Sequence, residues 1–117
     1  MQALTIFVAF EAPSDKVLGE RGVAMLAQLR SLASGLGHHI TNKDQALILV
    51  TLQAGSDENL SLRIANLKSE RFYSGQISLI RQSIEVFGSS ATVKRALGHR
   101  RSVPEKILNL IEILAQH

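Results

Sequence analysis

Apolar positions recur along this chain in two different rhythms. Between Ser14 and Gly37, the residues Leu18, Gly22, Met25, Leu29, Leu32 and Leu36 follow one another at spacings of four and three. Such spacing makes one apolar seam along a helix. Ser14 is placed to cap its start and Gly37 its end. Gly22 lies within the seam, where a close approach of another segment would account for it. Residues 3–10 behave differently. Leu4, Ile6, Val8 and Phe10 alternate with Ala3, Phe7 and Ala9, so both faces are apolar. The Ile, Val, Phe and Thr content favours a strand, with a short first helix as the rival reading. Pro13 ends either element, because the residue before a proline avoids the helical region.

Residues 46–52, "ALILVTL", admit both a helix and a strand. Asn42 followed by Gln45 fits a capping box and Gly55 fits a helix stop, which together favour the helix. The β-branched content fits a buried strand, and only that reading gives residues 3–10 a partner within the chain. Beyond Gly55 the spacing predicts helices to the end. Ser56 is expected to cap a helix carrying Leu60, Ile64 and Leu67, with Asp57 and Glu58 in its first turn. Ile77, Ile80, Ile84 and Phe87 form a second stripe, stopped by Gly88. A short helix follows over residues 89–98, with Ser89 or Ser90 as cap. Ser102 and Glu105 then form a capping box for a helix that turns Ile107, Leu110, Ile111 and Leu114 inward. The expected architecture is mainly α: one compact multi-helix domain over residues 1–117, with room for a short N-terminal β-strand.

Composition changes this picture little. Apolar residues make up 45% and charged residues 20% of the 117, so a packed core is affordable and disorder is not expected. The absence of Cys excludes disulfides and thiolate zinc sites. No apolar run is long enough to span a bilayer, which points to a cytoplasmic protein without a membrane partner. Charge is more informative. Residues 1–60 carry four basic and six acidic groups, whereas residues 61–117 carry nine and four. A basic half is compatible with nucleic acid or an acidic protein partner.

Catalytic patterns are not visible. His38, His39, His99 and His117 lack the spacing of a ligand pair and are read as surface or boundary residues, so no metal or other cofactor is expected. Asp57 with Glu58 reads as helix-start charge. Ser74 and Ser78 lack the strand-to-helix elbow of a serine hydrolase, and no phosphate-binding glycine motif occurs. The chain is therefore read as non-enzymatic.

The stretch "GSSATVKRALGHRRSVPE", residues 88–105, carries Lys94, Arg95, Arg100, Arg101 and His99, with no acid before Glu105. A glycine, two hydroxyl residues and a helix start make an anion-facing terminus. Residues 80–88 followed by 89–98 also resemble a helix-turn-helix motif. That reading puts Ser89, Ser90, Thr92 and Arg95 in the major groove, with Lys94, His99, Arg100 and Arg101 on phosphates. The plain alternative is a solvated turn whose arginines pair with Glu85, Glu105 or Glu112. Two functions follow. The first is a small regulatory protein that binds DNA through its basic C-terminal half as a homodimer. The second is a protein-binding adaptor or anti-regulator that meets an acidic partner. Ile6, Val8 and Phe10 on the N-terminal segment, with Tyr73 beside Arg71, are the expected interface residues; Phe72 is expected to close the core at a helix end.

Overall fold

A computed structural model describes all residues except 1–2, 56–57, 89, 99–100 and 117. Ser56 and Asp57, expected at a helix start, and His117 lie outside the described residues. The elements run β1 (Thr5–Phe10), α1 (Lys16–Gly35), β2 (His39–Ile40), a 3-10 turn (Lys43–Gln45), β3 (Ile48–Ala54), β4 (Asn59–Asn66), β5 (Phe72–Ser78), β6 (Ser83–Val86), α2 (Ala91–Gly98) and α3 (Val103–Ala115). Six strands form one sheet in the order β2-β1-β3-β4-β5-β6. β1 pairs in parallel with both β2 and β3, and the remaining pairs are antiparallel.

This overturns the mainly α expectation. Among the described residues the fold is a mixed α/β arrangement, 31% strand and 40% helix, with three helices and a large sheet. The description "helical" fails with it. The cause is visible residue by residue. Leu60 and Ile64 are four apart, which suits a helix face and a strand face alike. Leu62 between them breaks the tie: Leu60, Leu62 and Ile64 are all buried, while Ser61 and Arg63 are exposed. That is the period-2 pattern of a half-covered strand. At residues 42–55, Asn42 does cap, its Oδ1 accepting from Gln45 N–H at 3.1 Å, but it caps a single 3-10 turn. Ala46 is already extended, and the β-branched run continues as β3. The stripe from Ile77 to Phe87 is a hairpin: residues 79–82 turn and β6 returns along β5. The first helix of the expected helix-turn-helix is therefore absent, and α2 follows a strand.

α1 fills the stretch expected to be helical, starting from the Asp15 side chain, which accepts from Leu18 N–H. Its buried residues are Gly22, Met25, Leu26, Leu29 and Ala33, while Leu32 and Leu36 are exposed. A strict four-three repeat drifts about 20° per heptad around a straight helix, so the buried stripe passes from the Leu32 side to Ala33. Phe10 explains Gly22. A Cβ at position 22 would stand 2.8 Å from Phe10 Cζ, so the tip of the ring abuts the helix at this glycine.

The helices cover one face of the sheet. Ile6, Val8, Ile48, Val50, Leu52, Leu60, Leu62, Ile64, Ile77 and Val86 form one buried cluster with Met25, Leu26, Leu29 and Ala33 of α1 and Ile107, Leu108, Leu110, Ile111 and Leu114 of α3. α3 begins at the capping box formed by Ser102 and Glu105, and α2 packs on α3 through buried Val93. Gly75 is forced by the sheet. A Cβ there would be driven into the carbonyl of Glu85 on β6, a backbone group that no rotamer change can move.

Two substitutions test this packing. Leu29→Ala should cost about 2–5 kcal/mol in chemical denaturation, because the site is fully buried between sheet and helix. Gly75→Ala should cost about 1–3 kcal/mol despite adding one methyl group, because β6 must separate from β5 to admit it. A Gly75→Ala protein as stable as wild type would show that the β5–β6 register is different.

Candidate interaction surfaces

The basic segment now has a place. Ser90 starts α2: its hydroxyl accepts from Val93 N–H at 3.4 Å and its carbonyl from Lys94 N–H at 2.9 Å. Gly88, at φ +61°, makes the turn that feeds it. Thr92, Arg95 and Ala96 lie at helical spacing on one side of α2, and Asn109, Glu112, Ile113 and Gln116 on one side of α3. With Arg101 these residues line a cleft of about 320 Å³ between the two helices. Lys94 does not line it; one residue before Arg95, it points away from the cleft, on the far side of α2. The structure thus brings Thr92, Arg95 and Arg101 together and separates Lys94 from them. Ser89, His99 and Arg100 lie outside the described residues. Of the acids expected to pair with these arginines, Glu105 is engaged in its cap: its Oε1 accepts from the Ser102 hydroxyl at 2.9 Å.

The expected interface residues take a different position. Ile6 and Val8 are buried under the helices, and Phe10 is partly buried on Gly22. Tyr73 is half-buried beside Glu70, Arg71 and Leu114 at the α3 end of the sheet. The alternate residues of the same strands face the other way. Pairing fixes that second face in rows: Phe7, Leu49, Ala65 and Phe72 in one, Ala9, Thr51, Arg63, Ser74 and Phe87 in the next, and Gln53, Ser61, Gln76 and Glu85 in a third. Among the described residues, the helices pack on the opposite face. Phe72 is 49%, Phe87 57% and Leu67 45% exposed, and the Arg63 guanidinium sits 4.1 Å from the Phe72 ring centroid. Phe72 and Tyr73 have therefore exchanged the environments expected of them, because the helix expected there is a strand and its side chains alternate.

Two buried polar groups were not anticipated. His38 is only 3% exposed; its Nδ1 accepts from Leu4 N–H at 3.1 Å, and its Nε2 is buried without a partner. Asn66 pins the β4–β5 turn: its Oδ1 accepts from Lys68 N–H and Ser69 N–H, and its Nδ2 donates to the Leu114 carbonyl of α3. Both act on the fold, and nothing in their spacing announces them. Among the described residues, no group of three or more His, Asp or Glu side chains could hold a metal ion, and no helix is long and apolar enough to cross a membrane.

Comparison of the chain with protein-family models, with curated proteins and with solved structures gives no match. The chemistry of the two surfaces is read from their own residues.

Tyr73 supplies a test of its placement. Burial pushes its phenol above the ordinary 10.0, with Arg71 pulling in the opposite direction. The folded state thus holds the neutral phenol more tightly than the unfolded chain does. The resulting stability is complete below pH 10 and is lost as pH rises through the raised value. Tyr73→Phe should show a shallower alkaline loss of denaturation midpoint than wild type, measured from neutral pH upward. Parallel curves would place Tyr73 in water.

Proposed function

We propose that this protein is a non-enzymatic binding module whose α2–α3 cleft takes an acidic segment of a partner protein. The observation that carries the reading is the lining of the cleft. Arg95 and Arg101 stand at a slot that also offers apolar Ala96 and Ile113 and the amides of Asn109 and Gln116. Guanidinium groups present a planar fork that fits carboxylates in bidentate fashion. The apolar and amide groups suit a side chain and a peptide backbone. Glu112 in the same lining opposes a dense row of phosphates and equally any carboxylate brought beside it, so the segment's acidic side chains must reach Arg95 and Arg101. A groove-reading role for α2 also loses its supporting helix, since β6 stands in its place.

A dye-labelled peptide of repeated Asp-Leu units tests the reading, with an Asn-Leu peptide and a short DNA duplex as the other arms. The Asp-Leu peptide should bind and the Asn-Leu peptide should not. Arg95→Glu and Arg101→Glu should each weaken binding about ten-fold or more, while Glu112→Gln should strengthen it. Tighter binding to the duplex, with a salt slope that falls by about one unit for each arginine lost, would overturn the reading in favour of nucleic acid. Binding of neither peptide would also overturn it.

A further inference from the structure

We propose, independently of the cleft, that the open face of the sheet is covered by a second copy of this chain. Three observations point to self-association rather than a foreign partner. First, the face divides into two halves. Phe7, Leu49, Ala65 and Phe72, with Phe87 in the next row, make an apolar half, and Gln53, Ser61, Gln76 and Glu85 a polar one. Exposed Phe and Leu in contiguous rows mark an interface, whereas single exposed apolar residues do not. Second, the charges on this face are of both signs, Arg63 on β4 and Glu85 on β6, although the chain as a whole carries +3. A polyanion or an acidic protein would select against Glu85. A two-fold interface instead needs a patch complementary to itself.

Third, the strand order supplies that complementarity. β5 lies between β4 and β6. A two-fold axis running along β5 places β4 of each copy over β6 of the other. Phe72 then meets Phe72 of the second copy. Arg63, level with Ser74 and hence with Phe87, stands over Phe87 of the other copy, with Glu85 the next residue along that face. β4, β5 and β6 of each copy then overlap, and three strands about 4.8 Å apart with six residues of about 3.3 Å give a footprint of roughly 300 Å² in plan. Upright Phe and Arg side chains add to the area buried, and the interface stays at the small, reversible end of the range, below the ~800 Å² per partner of a standard one. Pairing through the sheet edges is the weaker route. β2 has two residues and β6 four, and short edge strands blunt edge-to-edge addition.

Sedimentation velocity over a range of concentrations tests the proposal. Wild type should be a dimer. Phe72→Asp should shift it to monomer with an unchanged circular dichroism spectrum, since that ring is half in solvent, and Phe87→Ser should do the same more weakly. Arg63→Glu and Glu85→Arg should each weaken association about ten-fold or more, and the double variant should recover most of the loss. The Asp-Leu peptide should bind Phe72→Asp as it binds wild type, because the cleft lies elsewhere. A wild-type monomer at every concentration overturns the proposal. So does a dimer indifferent to Phe72→Asp, or a double variant no better than either single one.

Discussion

One layer of helices covers one face of a six-stranded sheet, and the rest of the molecule follows from that. A chain of 117 residues that spends six segments on strands has α1 and α3 left to bury them. Both lie on the same side, where Leu29 and Ala33 of α1 and Ile107, Leu110 and Ile111 of α3 close over Ile48, Val50, Leu60 and Leu62. Sheets stable in this form are apolar on the covered face and mixed on the other. β4 obeys this residue by residue. β1 and β3 do not, because Phe7 and Leu49 continue the apolar character onto the uncovered side. That departure, rather than any motif, is what marks the sheet face as a surface with a task.

The covered side also fixes where special residues are needed. Gly22 exists because the Phe10 ring must lie against α1, and Gly75 because β6 passes within the space of one methyl group. Asn66 holds the β4–β5 turn to the end of α3, joining the last helix to the middle of the sheet through a side-chain amide. These are long-range requirements. They connect positions ten or more residues apart, with 48 between Asn66 and Leu114, so no single turn or strand of sequence contains them.

Legibility divided along the same line. α1 and α3 could be read because their caps and stripes are local: Ser102 with Glu105, and the recurrence of Leu and Ile at three and four. The strands were hidden where an i, i+4 pair such as Leu60 and Ile64 satisfies both periods, and where Asn42 and Gln45 cap a real turn that goes no further. At residues 46–52 the β-branched content outweighs the caps, and the resulting β3 lies next to the centre of the sheet. Of the basic site, the residue types were legible and the geometry was not. Only the placement of α2 against α3 separates Lys94 from Arg95 and joins Arg95 to Arg101. The open face was illegible as a face, because it consists of residues from β1, β3, β4, β5 and β6 whose register is set by pairing.

The two surfaces do not compete for residues, and their electrostatics differ for a structural reason. α3 turns Ile107, Leu110, Ile111 and Leu114 into the core and Asn109, Glu112, Ile113 and Gln116 toward the cleft. The sheet face lies beyond the core, on the far side of β3, β4 and β5. Basic groups concentrated in residues 61–117 are therefore divided by the fold. Arg95 and Arg101 are held at the cleft, where a partner's carboxylates would reach them. Arg63 is drawn down onto Phe72 within a face that also holds Glu85. A guanidinium stacked on an aromatic ring contributes about 0.5–1 kcal/mol at an exposed site and keeps its N–H edge free for a carboxylate. The same residue type thus stands in two different settings: a cleft with two arginines and one glutamate on one side, and a plane with one charge of each sign on the other.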